Sequence, residues 1–150
     1  MPELQFRILD PSGLDIFAAW FADDELSRRI SAPTEQWFQY VSTKPENSAW
    51  LVYEGRVAVG QIQLDTYPDQ TGSLSLAVNP ELRSRGYGKR ILSAFLLQEV
   101  ASRLGEITAC IEADNNASLH CFRACGFVAR DMEPDSNGLI SFVYRNGAIL

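Results

Sequence analysis

The segment that most limits the fold is Val78-Asn79-Pro80-Glu81-Leu82-Arg83-Ser84-Arg85-Gly86-Tyr87-Gly88-Lys89-Arg90. An apolar run from Leu74 to Val78 leads into it. The longest amphipathic stretch follows, with Leu92, Leu96, Val100 and Leu104 on one side and Ile91 and Phe95 widening that side. A strand, a glycine-bearing loop and a helix start, in that order, make an anion site. The helix start offers unpaired amides and a partial positive charge. Gly86 and Gly88 remove side chains that would hold a phosphate away from the backbone. Arg83, Arg85, Lys89 and Arg90 bring four of the 13 cations of the chain into one short loop. With a net charge of −6 overall, that concentration marks the loop as the place where an anion is met.

Spacing excludes two other phosphate loops. The P-loop needs a Gly, four residues and then Gly-Lys-Ser/Thr, which is absent. The dinucleotide fingerprint needs a third glycine where Ile91 stands, and the early hairpins conflict with a doubly wound sheet. Leu4 to Leu9 alternates like a half-buried strand. Asp10-Pro11-Ser12 breaks it, and Ser12 or Asp15 starts a helix through Phe17, Trp20 and Phe21 that Asp23-Asp24-Glu25 closes. Pro33-Thr34-Glu35 opens another helix carrying Trp37, Phe38 and Val41. Strands over 49–53 and 57–64 flank a Glu54-Gly55 turn, and a second turn over 67–72 leads into the strand that ends at Val78. One helix over 86–104 follows, stopped by Gly105. Then come a strand over 106–111, a short helix over 116–125 stopped by Gly126, and a hairpin of 127–132 with 139–144. The fourth and fifth strands, joined by a helix, are expected to be parallel in an otherwise antiparallel sheet. The prediction is a mixed α+β fold in a single domain over residues 1–150.

Composition narrows the function classes. The acidic balance argues against a nucleic-acid surface and permits a cationic substrate. Met1-Pro2-Glu3-Leu4-Gln5 lacks the features of a secretory signal, and no apolar run approaches the roughly 18 residues of a membrane span. A soluble cytoplasmic protein without a membrane partner is expected. Cys110, Cys121 and Cys125 are too few for a disulfide framework. Cys121 and Cys125 lie beside His120, but zinc wants about four ligands and no second cluster exists, so no metal is expected.

A second segment reads with the first: Asn115-Asn116-Ala117-Ser118-Leu119-His120-Cys121-Phe122-Arg123-Ala124-Cys125-Gly126-Phe127. The loop Arg83-Ser84-Arg85-Gly86-Tyr87-Gly88 after Val78-Asn79-Pro80 resembles the acetyl-CoA pyrophosphate loop of the GNAT superfamily of N-acyltransferases. That motif runs Gln or Arg, two residues, Gly, one residue, Gly or Ala. The second segment resembles the family's late motif, and the element order agrees along the whole chain. The resemblance implies an acyl-CoA N-acyltransferase fold, a seven-stranded sheet with helices on both faces and its fourth and fifth strands splayed around the cofactor. It implies acetyl-CoA as co-substrate and an amine as acceptor, and a homodimer is compatible with it. Residues Arg83, Ser84, Arg85, Gly86, Tyr87, Gly88 and Lys89 would grip the pyrophosphate. Leu76, Ala77 and Val78 would pair with the pantetheine arm, and Asn115, Ser118 and Phe122 would line it. Asn115 has a helix cap as its ordinary alternative.

The chemistry departs from the family at one position. Many members carry a Tyr four residues before Gly-Phe as the acid that protonates the leaving thiolate; here Phe122 stands there. Tyr144, Cys121 and Tyr67 are the candidates to replace it. An amine is protonated at neutral pH and needs a base. Glu112 is the first candidate, with Asp114, Asp65 and His120 behind it, and a strand amide near Ala77 or Val78 can serve the oxyanion. The acid run Asp23-Asp24-Glu25 is a candidate contact for a cationic acceptor or simply a solvated face. An active N-acetyltransferase is the leading reading. Phe122 keeps open a non-catalytic acyl-CoA-binding sensor, and a partner-binding domain with a merely solvated loop is the third.

Overall fold

The computed structural model describes residues 3–147. The chain runs β1 (Leu4–Ile8), α1 (Pro11–Ala19), α2 (Asp24–Arg29), α3 (Glu35–Thr43), β2 (Asn47–Glu54), β3 (Val57–Thr66), β4 (Thr71–Val78), α4 (Tyr87–Leu96), α5 (Glu99–Ser102), β5 (Glu106–Glu112), α6 (Asn116–Ala124), β6 (Val128–Ala129) and β7 (Leu139–Arg145). Short 3-10 turns cover Trp20–Ala22 and Pro80–Leu82. The seven strands follow the order β1-β2-β3-β4-β5-β7-β6, and β4 and β5 are parallel, as expected from the helix that joins them. Two compact units share these elements. The first takes the chain up to Leu64 together with Leu76–Tyr87; the second takes Asp65–Ser75 and the chain from Gly88 onward.

In the first unit, each early helix starts where a side chain takes up orphan amides. Asp10 accepts from Gly13 N at 2.7 Å, with Pro11 in the first helical position, where its missing N–H costs nothing. Asp23 accepts from Leu26 N at 2.9 Å and Thr34 from Trp37 N at 3.0 Å. The helices bury Phe17, Trp20, Leu26 and Val41 in a cluster with Leu9, Ala49, Leu51, Ala58 and Ala77. Phe17 sits among aromatic edges, 5.6 Å from Trp20 and 5.1 Å from Phe21 between ring centres. In the second unit, α4 buries Ile91, Leu92, Phe95 and Leu96. Strand β5 buries Ile107, Ala109 and Ile111 and leaves the alternate residues partly or fully open, the period of a strand with one covered face.

Four local expectations are corrected. The helix expected over 86–104 is two, because Gln98 takes an extended conformation (φ −68, ψ 148) between α4 and α5. Leu97 N and Gln98 N close the first helix on Ala94 O and Phe95 O, while Gln98 O accepts the first bonds of the second. The apolar spacing runs on across the break, so the pattern alone did not reveal it. Asp23-Asp24-Glu25 opens α2 instead of closing α1: the acids sit in its first turn and Arg28 and Arg29 in its last, as the helix dipole favours. The first hairpin turn is Gly55-Arg56, one residue later than read, with Gly55 at φ +63 as its first residue. The expected strand 127–132 shrinks to Val128–Ala129. Beyond it the Asp131 and Asp135 side chains draw the amides of Glu133, Asn137 and Leu139 into turns.

Candidate active site

In the first unit the anion loop leaves β4 through Asn79, which is tied down three ways. Its N–H donates to Val59 O at 2.9 Å, its Nδ2 to Ala58 O at 2.9 Å, and its Oδ1 accepts from Glu81 N at 3.0 Å. Ser84 (φ +62) and Gly86 (φ +81) then curl the backbone in left-handed conformations before α4 begins at Tyr87. A Cβ on Gly86 would meet no protein atom within 4 Å, and its φ is one that favours glycine. Residues 83–86 are exposed, as is Lys89, and Tyr87 and Gly88 are half-buried.

Two side chains of the loop are engaged. Arg83 donates through Nη1 and Nη2 to the two carboxylate oxygens of Asp23, at 3.1 and 2.5 Å. Tyr87 donates its hydroxyl to Glu54 Oε1 at 2.5 Å. The Arg83 guanidinium and the Leu26 amide hold the Asp23 carboxyl below its ordinary range. Two of the three acids of the run are thus paired: Asp23 faces Arg83, and Glu25 holds Arg28 and Arg29, while Asp24 is exposed. Sequence reading missed the Asp23–Arg83 pair. With the acid run read as the close of α1, its cap at Asp23 went unread as well, and nothing in the local sequence announces a partner 60 positions away. The donors present — turn amides, a helix start, exposed Arg85 and Lys89 — suit an anion of the pyrophosphate kind.

In the second unit the parallel ladder between β4 and β5 covers Thr71↔Glu106, Gly72↔Ile107 and Ser73↔Thr108. On its other side β5 pairs with β7 along its whole length, from Glu106↔Arg145 to Glu112↔Leu139. Ser75 and Cys110 each lie two residues past the last β4–β5 pair, and both are exposed although their strands are interior to the sheet. Alternation puts Ser73 with Ser75, and Thr108 with Cys110 and Glu112, on the open face of their strands. Of the residues expected to pair with pantetheine, Ala77 is buried while Leu76 and Val78 are half-buried.

The remaining candidates fall as follows. Asn115 caps α6 through Ser118 N at 3.3 Å, its ordinary role, and both residues stay half-buried. Phe122 is 3% exposed and meets Phe127 edge-on at 5.0 Å; the Tyr144 ring lies tilted against Phe127 at 5.3 Å. Glu112 is half-buried at the end of β5. Tyr144 pairs with Ile107 at the other end of that ladder, five residue steps or about 17 Å away, so the two cannot serve one reacting atom. Burial, with Cys125 beside it, pushes the Cys121 thiol up to about 12, too high for it to give up a proton near neutrality. Tyr67 is half exposed in the β3–β4 turn.

Comparison with known proteins agrees with this geometry. Residues 14–127 match the acetyltransferase (GNAT) family. A protein of Bacillus subtilis (strain 168) described as an uncharacterized N-acetyltransferase, YfmK, is 31% identical over 144 residues, which span 95% of this chain and 97% of that one. Among solved structures, the spermidine N-acetyltransferase of Vibrio cholerae in complex with CoA and spermine superposes with a TM-score of 0.79 at 14% identity, over 95% of each chain. The aminoglycoside N(6')acetyltransferase of Legionella pneumophila subsp. pneumophila gives 0.80 at 13% identity, over 97% of this chain and 94% of its own. At such identities these two show a shared fold, whereas the family match and the Bacillus relative show kinship: the chain is an acyltransferase of the acetyltransferase (GNAT) family.

Proposed function

We propose that this protein moves an acetyl group from acetyl-CoA to a primary amine of a small molecule, an amino sugar or a peptide N-terminus, by direct attack in a ternary complex. The observation that carries the reading is the early end of the β4–β5 ladder, in the strand whose continuation runs straight into the anion loop. Strand backbone past the end of a ladder asks for hydrogen-bond partners, and the amides of a pantetheine arm supply them in the manner of an added strand. The pyrophosphate then falls to the loop amides, Arg85 and Lys89. The similarly folded enzymes named for spermidine and aminoglycoside acetylation act on amines, which supports an amine as acceptor.

Glu112 is the base in this proposal. It takes a proton from the acceptor ammonium so that the nitrogen lone pair can attack the thioester carbonyl. A strand amide at Ala77 or Val78 donates to the carbonyl oxygen as charge builds there. The C–N bond forms, the nitrogen gives up its second proton to solvent, the C–S bond breaks, and the sulfur departs as a thiolate that solvent protonates. Phe122 offers no proton, and Cys121 holds its own too tightly. A thiol of pKa near 8.5 is a tolerable leaving group unaided, so the missing Tyr lowers the rate without abolishing it.

Thiol release from acetyl-CoA with a panel of polyamines, aminoglycosides and peptides tests this. Steady turnover with at least one amine is expected, and Glu112→Gln should lower kcat by about a hundredfold while leaving the KM for acetyl-CoA unchanged. The buried, hydroxyl-free Phe122 favours one rival reading, a sensor that binds acyl-CoA without turnover. Tight CoA binding with no amine-dependent release across the panel would select that rival.

A further inference from the structure

The sequence offers Arg83 as a phosphate ligand, yet its guanidinium is already occupied. Both outer nitrogens meet both oxygens of one carboxylate, the fork-to-fork arrangement in which an arginine is most fully satisfied. Asp23 is itself held at three further points. Its Oδ2 also accepts from Leu26 N, its N–H donates to Trp20 O at 3.1 Å, and its carbonyl accepts from Ser27 N at 3.1 Å. Trp20 and Leu26 on either side are buried in the core cluster, at 9% and 7% exposure. A guanidinium held by so fixed an acid carries no net charge to the loop as a pair.

The loop needs such a hold. Ser84, next to Arg83, stands at φ +62, a left-handed conformation that is unfavourable for a side-chain-bearing residue and persists only when its surroundings enforce it. Within the unit the loop is tethered at three points. Asn79 binds β3 at its start, Arg83 binds Asp23 in its middle, and Tyr87 binds Glu54 at its end. The middle tether adjoins the curled residues.

We propose that Asp23 is a positioning residue for cofactor binding: it clamps the Arg83 side chain and so fixes the anion loop in the shape that receives a pyrophosphate. The phosphates are met by the amides of residues 84–88 with Arg85 and Lys89, and Arg83 serves them through its backbone. The inference rests on the acetyl-CoA reading above. It assigns to an acid some sixty positions from the loop a share in binding an anion, the reverse of what its charge suggests.

Calorimetric titration with CoA tests it on four proteins: wild type, Asp23→Ser, Asp23→Glu and Arg83→Met. Serine caps a helix as well as aspartate does, so Asp23→Ser keeps α2 and removes the clamp alone, and an unchanged melting temperature without ligand verifies this. The expected result is a CoA dissociation constant about fivefold weaker in Asp23→Ser, as for an ion pair of this exposure. Arg83→Met should be weakened equally, the two substitutions together no more than either, and Asp23→Glu should recover part of the loss. If Asp23→Ser binds CoA as tightly as wild type, or more tightly, Arg83 is a ligand that Asp23 competes for and the inference is overturned. A wild type that fails to bind CoA at all would remove the cofactor reading itself, and the inference with it.

Discussion

Cys110 and Cys121 are eleven positions apart and chemically opposite. Cys110 is exposed just past the end of the β4–β5 ladder, whereas Cys121 is half-buried with its proton held to about pH 12 by burial and by Cys125. Only the thiolate attacks an alkylating agent. Iodoacetamide at pH 8 should therefore label Cys110 and leave Cys121 unmodified, and saturating CoA should slow the labelling of Cys110. Peptide mass spectrometry reads both. Labelling of Cys121 first, or a Cys110 indifferent to CoA, would contradict the open ladder as the cofactor's place. Single residues were unevenly legible in the sequence. Gly126 announced the stop of α6 and carries φ +97 there. Asn115, read as a ligand with a cap as its alternative, does cap α6. The pairing of Arg83 with Asp23 was illegible, because local sequence carries no record of a contact across 60 positions.

At the scale of elements, the strands and their order followed from alternation and turn residues, whereas the long helix did not. Leu92, Leu96, Val100 and Leu104 keep a helical period through a break at Leu97-Gln98 that leaves Leu97 83% exposed and Leu96 6% exposed. Periodicity reports which residues are buried. It is blind to a break that restarts in phase. Substituting each leucine by alanine separates the two descriptions. Leu96→Ala should cost about 2–5 kcal/mol, the range for a buried leucine, while Leu97→Ala should stay within about 0.5 kcal/mol. Urea unfolding midpoints read both, and a costly Leu97→Ala would mean that the helix is continuous and the residue covered. The same limit explains the acid run 23–25. A cluster of carboxylates fits a helix end or a helix start, and here the cap at Asp23 and the basic last turn of α2 decide for the start.

At the scale of the whole molecule, the reading rests on a contrast of charge. A chain of net charge −6 sets four of its 13 cations in the loop and the first turn of α4, and keeps Arg85 and Lys89 exposed there beside the paired Arg83. That contrast, the two glycines and the late Asn-to-Gly-Phe segment were enough to reveal the family from sequence. The acceptor was not legible, because two of the three acids that suggested a cationic substrate, Asp23 and Glu25, are paired with Arg83, Arg28 and Arg29. The most direct test of the central claim is the melting temperature with and without CoA, for wild type and for Arg85→Glu/Lys89→Glu. Ligand at about 100 times its dissociation constant adds roughly 2.7 kcal/mol, or about 5–11 °C in a domain of this size. The account predicts that rise in the wild type, and no rise in the variant, whose exposed substitutions leave its unliganded melting temperature unchanged. A wild type that melts at the same temperature with and without CoA would contradict it.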